Sequence, residues 1–381
     1  MLEEKTICFI KGSQEQRVDI DFVKKELSQY LQIENLNFLI GSGCSSYIEN
    51  EQEHAIPTMY SLYENFFSEN SYFSIGGINA EQTFEHNLER MLDFMMATKM
   101  VDAHIPIEIE ISEKIQKVKE FIRNSIIAGL GNNDVLALYK SFYLKTIKKT
   151  RKAPINVFTT NYDLYNEKAL DELGFFYNNG FTGTYNRKFN PLCYNYAYVE
   201  NMNLNKDIWQ RISNFYNLYK IHGSITWVNI DGQIYEKDYN HIKPEDSILI
   251  YPIPLKDRTT LMTPYSDLFR SMQGALMNNN SLLITLGYSF ADDHINRLIL
   301  NALAVPTFRL VVFGEGENIE KLKKIGDNRI TIINSEDKIH YFNRFVIDLM
   351  PDIQDEVQEK FEMIDGNEAI KIFENNVISN E

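Results

Sequence analysis

The sequence predicts an α/β fold: a doubly wound (Rossmann-like) parallel sheet with a helical insertion after a glycine-rich loop. Three observations predict it. The last third of the chain alternates apolar strand-like runs with helical stretches, and strands that alternate with helices argue for a parallel sheet covered on both faces. Four short polar clusters land where apolar runs end: Gly41-Ser42-Gly43-Cys44-Ser45 after NLNFLI, Thr159-Thr160-Asn161-Tyr162-Asp163 after PINVF, His222-Gly223-Ser224 after NLYKI, and Gly287-Tyr288-Ser289-Phe290 after SLLITL. Strand ends in an open α/β sheet line a shared crevice, where ligands bind. Between the first and second clusters, from about 55 to 150, the pattern turns helical.

In chain order, TICFI (6–10) reads as a strand and 18–32 as a helix. NLNFLI (35–40) is a buried strand ending in the first glycine cluster. Within the insertion, Phe84, Leu88, Leu92 and Met95 recur at spacings of four and three and make one apolar helix face. Further helices are expected over 107–130 and 133–149. INVFTTN (155–161) restores the strand pattern, and 163–173 reads as a helix. Residues 176–216 are rich in Tyr, Asn and Phe without a period, and are expected to be loop and short helix. NLYKIHG and SITWV follow as strands, then a hairpin around Asp231-Gly232 and a strand at SILIYP (247–252). The rest reads as helix 264–279, strand 281–287, helix 293–304, strand 308–313, helix 317–325, strand 329–333 and helix 338–349. The expected organisation is one domain over 1–349 and an acidic segment over 350–381.

With 381 residues, 44% of them hydrophobic, the chain can bury a sizeable core. No apolar run approaches the roughly 20 residues of a membrane span. The opening MLEEKTICFIKGS has no apolar stretch long enough for a signal peptide. Cys8, Cys44 and Cys193 lie far apart, so neither a disulfide framework nor a zinc ribbon is supported, and a reducing cytoplasm is expected. Net charge is −15, and residues 351–381 carry nine acids against Lys360 and Lys371. Such a chain repels nucleic-acid phosphates, so direct nucleic-acid binding is not expected. The one basic cluster, Lys145, Lys148, Lys149, Arg151 and Lys152, reads either as cations complementing a helix C-terminus or as a phosphate-binding patch.

A glycine loop able to hold phosphate, an Asn-x-Asp and a histidine on neighbouring strand ends point to chemistry on a nucleotide. Glycines at a strand-to-helix turn let backbone approach a pyrophosphate, and a helix N-terminus supplies free N–H donors. Ser46 stands where the dinucleotide fingerprint wants a third glycine, so an ordinary tight turn is the alternative. Asp163 can cap the following helix and Asn161 can form a turn. In the functional reading, Asn161 orients a ribose hydroxyl or a water and Asp163 accepts from a carboxamide. A neutral His222 can act as a general base near pH 7. His294, in Asp292-Asp293-His294-Ile295-Asn296, is read as structural, with Asp292 or Asp293 as helix cap.

Taken in order, GSGCS, TTNYD, HGS and GYSF resemble the sirtuin (SIR2-type) family over about 35–315. LLITLGYSFADDHINRLI resembles the divergent bacterial branch of antiphage defence systems, and so does the large insertion. The resemblance implies NAD as substrate. It implies that Gly41, Ser42, Gly43 and Ser45 cradle the pyrophosphate, with Thr160 lining the site. Asn161 would place the nicotinamide ribose or the attacking water, Asp163 would bind the nicotinamide carboxamide, and His222 would be the base. Gly287 and Ser289 would line the adenosine side, and Glu315 would hold the adenine ribose hydroxyls. Protein-deacylating sirtuins carry a four-cysteine zinc module. Here Cys193 is the only cysteine after position 44, so no such module can be assembled and no metal is expected.

The activity implied is NAD hydrolysis to nicotinamide and ADP-ribose through an oxocarbenium-like transition state, accelerated mainly by positioning and fixed dipoles. The alternatives are a module that senses NAD or an ADP-ribose derivative without turnover, and an NAD-dependent protein deacylase. The resemblance further implies NAD depletion (abortive infection) in the bacterial cytoplasm, a homo-oligomer assembled through the helical insertion, and a HerA-type hexameric ATPase partner. Asn161 and His222 lie outside apolar runs, so their truncation is expected to leave the fold intact.

Overall fold

The computed structural model describes residues 6–353 except 50–51, 76, 85, 102–106, 149–150, 152, 204–207, 213–214, 243–246 and 250–262. Nine strands form its main sheet: β1 (Ile7–Lys11), β2 (Gln14–Val18), β3 (Asn35–Ile40), β4 (Ile155–Thr159), β5 (Phe176–Asn178), β6 (Phe215–Lys220), β7 (Ser281–Leu286), β8 (Arg309–Phe313) and β9 (Ile330–Asn334). Their spatial order is β2-β1-β9-β8-β7-β3-β4-β6-β5. From β9 to β5 every neighbour is parallel, whereas β1 runs antiparallel to both β9 and β2. The chain builds from β3 outward to β4 and β6, then returns to β7 on the other side of β3. β3 and β7 therefore flank the point where strand order reverses, and a crevice is expected beyond their C-terminal ends.

Alternation along the buried strands feeds two cores, one on each face of the sheet. Leu36, Phe38 and Ile40 join one core with Val157 and Ile284, while Leu39 joins the other with Phe158 and Leu283. The first face carries α1 (Ile20–Tyr30), α5 (Asn133–Lys145), α6 (Tyr165–Glu172) and the insertion helices α2 (Met59–Glu69), α3 (Leu88–Val101) and α4 (Ile107–Gly129). The second face carries α7 (Tyr265–Leu276), α8 (Asp293–Ala302) and α9 (Glu317–Lys323). The Phe84–Met95 stripe is consumed in this packing: Phe84, Leu88, Leu92 and Met95 are all buried in the first core. Its last helix, α5, lies directly on the sheet, with the Phe142 ring 4.9 Å from that of Phe38. The insertion is thus part of one sheet-covering layer.

An asparagine ladder crosses the sheet near its N-terminal end. Asn178 Nδ2 donates to Asn217 Oδ1 (3.2 Å), Asn217 Nδ2 to Asn156 Oδ1 (3.1 Å), and Asn156 Nδ2 to Asn37 Oδ1 (2.8 Å). Asn37 Nδ2 ends the run on Ser281 Oγ (2.9 Å) and the Leu282 carbonyl (3.0 Å). Four of these five side chains sit in register on β5, β6, β4 and β3, so the ladder fixes strand pairing through side-chain amides as well as through backbone.

Several elements differ from the sequence expectation. Residues 14–18 form a polar edge strand, and the helix begins only at Ile20, capped by Asp19. The glycine cluster does not open an α-helix: it enters a single 3₁₀ turn (Ser42–Cys44) and then a hairpin of Ser46–Glu49 with Gln52–Ala55. Within 176–216 lie short strands, including Phe181–Thr182, Arg187–Phe189 and Val199–Asn203. The first two join Gln233–Glu236, Gly223–Ile230 and Ser247–Leu249 in a second, five-stranded sheet. The stretch read as helix 338–349 is one short α-turn (Phe342–Arg344) followed by a π-turn (Phe345–Leu349). Residues 250–252 of SILIYP, and 354–381 of the acidic segment, lie outside the described residues. Of the basic cluster, Lys145 donates to the Val346 carbonyl and Arg151 to carbonyls just past α1, including Ile33 (2.6 Å) and Glu34 (3.1 Å). Those two cations cap the chain itself.

Candidate functional site

The polar clusters meet at the C-terminal ends of β7, β3, β4 and β6. The first contact is between two glycine loops. A Cβ on Gly41 would stand 2.3 Å from the Gly287 carbonyl oxygen, and one on Gly287 would stand 2.6 Å from the Cys44 nitrogen. Gly287 also takes a left-handed φ of +59°, which L side chains rarely adopt. These glycines let the β3 and β7 loops touch. A Cβ on Gly43 would likewise stand 3.0 Å from the Gly287 Cα. The N–H of Gly43 donates to the Gly287 carbonyl (3.1 Å), and the N–H of Cys44 donates to the carbonyl of Gly41 (3.0 Å). Ser45 points inward: its hydroxyl is fully buried against Tyr139 Oη (2.8 Å) and accepts from Asn161 Nδ2 (3.0 Å). Of the four residues assigned to a pyrophosphate cradle, only Ser42 and Gly43 are exposed. The expectation of a helix N-terminus beneath them is corrected by the 3₁₀ turn, which is too short to have one.

The β4 loop is arranged differently. Thr160, half-buried, continues the strand by an N–H bond to the Ile40 carbonyl (3.2 Å). Asn161 is 5% exposed, and its Nδ2 donates to the Gly41 carbonyl (3.1 Å) as well as to Ser45. Asp163 is 2% exposed, and its Oδ1 accepts from the Tyr165 N–H (3.0 Å), a local turn of the kind expected for this residue type. The remaining oxygens, Asn161 Oδ1 and Asp163 Oδ2, are buried with no hydrogen-bond partner among the described residues. A buried oxygen left so costs about 1–3 kcal/mol unless a water or a ligand supplies the donor. Cys44 and Tyr139 are buried within reach of the Asp163 charge. Burial, and then the Asp163 charge, pushes both the thiol and the phenol well above their ordinary pKa. Cys44 is therefore a protonated packing residue and not a nucleophile.

Lys220, 2% exposed at the end of β6, holds this loop from the other side. Its ammonium donates to the carbonyls of Asp163 and Tyr162 and lies 3.0 Å from Glu167 Oε1. Tyr162 donates in turn to Glu89 on α3 (2.7 Å), so the insertion braces the loop as well. Two residues after Lys220, half-buried His222 lies beside Tyr162, 6.4 Å between ring centroids with the planes tilted by 36°, and its Nε2 lies 2.9 Å from Asp292 Oδ2. Asp292 also caps α8: its Oδ1 accepts from the N–H groups of His294 (2.9 Å) and Ile295 (3.2 Å).

The structure thus brings Gly41, Gly43, Ser45, Asn161 and Gly287 into one contact set, with Asp163 and His222 on its β4 and β6 side. Ser289 is exposed beyond β7, its carbonyl accepting from Asn318 (3.4 Å). Glu315, past β8, is held by Lys338 and contacts none of the other assigned residues among the bonds described. Four contributors are absent from the sequence reading: Tyr139, Glu89, Lys220 and Asp292 in its contact with His222. A lysine inside the otherwise apolar and amide strand FYNLYK was a usable signal. Tyr139 gave none, being one aromatic among many on an apolar helix.

Residues 155–325 match the family model described as the SIR2-like domain. That span supports a SIR2-type domain, and such domains imply use of NAD. It includes Asn161, Asp163, His222, Gly287, Ser289 and Glu315, and starts after the Gly41–Ser45 loop. No curated protein matches the chain. Among the described residues, no group of three or more His, Cys, Asp or Glu is placed to hold a metal ion, and no helix is long and apolar enough to cross a membrane.

Proposed function

We propose that the chain is an NAD glycohydrolase that cleaves the nicotinamide–ribose bond to give nicotinamide and ADP-ribose. The observation that carries the reading is the pair of buried oxygens without donors, Asn161 Oδ1 and Asp163 Oδ2, on one braced loop beside His222. NAD supplies the matching chemistry, because its carboxamide and ribose hydroxyls are donors and its nicotinamide is a neutral leaving group once the bond breaks.

The chain's own groups then have distinct tasks. Asp163 Oδ2 accepts from an amide N–H. Asn161 has both its donor contacts engaged within the protein, so it acts as an acceptor, holding a ribose hydroxyl or the water. His222 takes a proton, a contribution of about 10²–10⁴-fold when a base is well placed. The orphaned oxygens and rigid bracing favour positioning as the larger share of the rate. The exposed Ser42 and Gly43 remain the candidates for the diphosphate, with Gly287 and Ser289 beyond them. NAD depletion in antiphage defence, a HerA-type ATPase partner and self-association are proposed from the resemblance alone. With the Phe84–Met95 stripe buried, a homo-oligomer would have to use another surface.

The test is incubation of the full chain with NAD and chromatographic separation of products. Nicotinamide and ADP-ribose in equal amounts are expected. Binding without turnover would favour the sensor reading, and acyl transfer from an acetyl-lysine peptide would favour the deacylase.

A further inference from the structure

The contact between His222 and Asp292 joins two rims of the crevice. His222 follows β6 and Asp292 follows β7, and in the sheet those strands are separated by β3 and β4. At about 4.8 Å per strand the two loops start roughly 14 Å apart, so the contact reaches over the ends of both intervening strands. Both side chains are largely covered, at 15% and 17% exposure. Asp292 is itself fixed at each end. Its Oδ1 is held by two N–H groups of α8, and its carbonyl accepts from Asn296 N–H (2.9 Å). Asn296 anchors the same loop through Nδ2 to the Phe290 carbonyl (2.8 Å). The other carboxylate oxygen, Oδ2, lies 2.9 Å from Nε2 of the imidazole.

A carboxylate can only accept, so Nε2 of His222 must be the donor. In the neutral ring the proton then resides on Nε2 and the basic lone pair on Nδ1. We propose that Asp292 is a positioning residue for His222: it holds the imidazole in one orientation and in the Nε2–H tautomer, and so decides which nitrogen takes a proton. The catalytic consequence rests on the reading of His222 as the base in NAD cleavage, whereas the tautomer does not. The helix cap alone does not account for the arrangement, since capping uses Oδ1 and leaves Oδ2 to find its own partner.

Asp292→Asn separates the two roles. Asparagine caps a helix about as well as aspartate, so α8 keeps its start. Its Nδ2 would now donate toward Nε2, which reverses the bond and moves the ring proton to Nδ1. In hydrolase triads the equivalent change leaves geometry intact and costs about 10⁴-fold in kcat. The experiment is a long-range ¹H–¹⁵N correlation on the full chain labelled with ¹⁵N-histidine, with the His222 signals assigned by their loss in His222→Gln. The wild type is expected to show the Nε2–H pattern and Asp292→Asn the Nδ1–H pattern. Nicotinamide release by the same variant is expected to fall about 10²–10⁴-fold in kcat, with KM changed only a few-fold. A wild type in the Nδ1–H form, or a tautomer unaltered by Asp292→Asn, overturns the proposal, and so does an unchanged kcat. A wild type that releases no nicotinamide refutes the NAD-cleavage reading instead, and the tautomer pattern still decides whether Asp292 positions His222.

Discussion

At the N-terminal end of β4, Asn156 accepts from Asn217 and donates to Asn37, with both halves of its amide engaged by side chains of the neighbouring strands. Just past the C-terminal end of the same strand, Asn161 donates twice and accepts nothing among the described residues. The residue type and the strand are shared, with Asn156 half-buried and Asn161 buried, and the difference is in what is left over. The ladder is closed by the protein, so its purpose is register. The β4 loop is closed on its donor side only, and Asp163 repeats that pattern with one oxygen held and one buried without a donor. A half-satisfied polar pair costs stability, and it persists here because Lys220, Ser45 and Tyr162 hold it from three sides.

The comparison can be broken first at the glycine contact that keeps the two loops together. Gly287→Ala should have the largest effect, because its Cβ would strike backbone of the β3 loop at 2.6–2.7 Å and its φ is left-handed. A loss above roughly 3 kcal/mol, or failure to fold, is expected in denaturant melts. Asn37→Ala comes next. It removes a fully buried member of the ladder, takes the acceptor from Asn156 Nδ2 and leaves Ser281 Oγ with only its bond to the Ala275 carbonyl, at about 2–4 kcal/mol. Ser45→Ala should cost about 1–3 kcal/mol, since it leaves the fully buried Tyr139 hydroxyl without the partner it has here. It should also slow nicotinamide release, because Asn161 loses one of its two anchors.

The smallest effect is on pH dependence near the proposed adenosine side. Burial lowers the His340 pKa, with Glu315 pulling weakly the other way. The folded ring refuses a proton that the unfolded chain accepts below about pH 6.5. Stability should therefore fall as pH drops from 6.5 toward the depressed folded value, and level off below it. His340→Gln should lose less stability than the wild type between pH 7.5 and 5.5 in thermal melts.

Much of the fold is legible in the sequence, and the reason is periodicity. SLLITL, RLVVF and NLNFLI are buried on both faces and read as apolar runs, and the helices between the later strands carry clear caps such as Asp292. QEQRV carries no strand signal, and only its Val18 falls within the helix expected over 18–32, because an edge strand with mostly exposed residues needs no apolar side chains. The asparagines at 37, 156, 178 and 217 gave no warning of a ladder, since an amide inside a strand has meaning only once its neighbours are in register. Asn161, Asp163 and His222 were legible as a set because each ends an apolar run. Asp292 was legible as a cap and not as a partner of His222, because 70 residues and two intervening strands separate them. Asn161 makes two buried bonds, so Asn161→Ala is expected to cost about 1–2 kcal/mol while the fold stays intact.

The most direct test sets the two ends of the sheet against each other. Nicotinamide release from NAD and denaturant melts are measured together for the wild type, Asn37→Ala, Asn161→Ala and His222→Ala, under conditions where each variant is folded. Asn37→Ala should melt lowest yet release nicotinamide at a rate within a few-fold of wild type. Asn161→Ala and His222→Ala should lose about 10²–10⁴ in rate while keeping more stability than Asn37→Ala. If folded Asn161→Ala and His222→Ala release nicotinamide as fast as the wild type, the β4 loop is not the reacting end of the sheet.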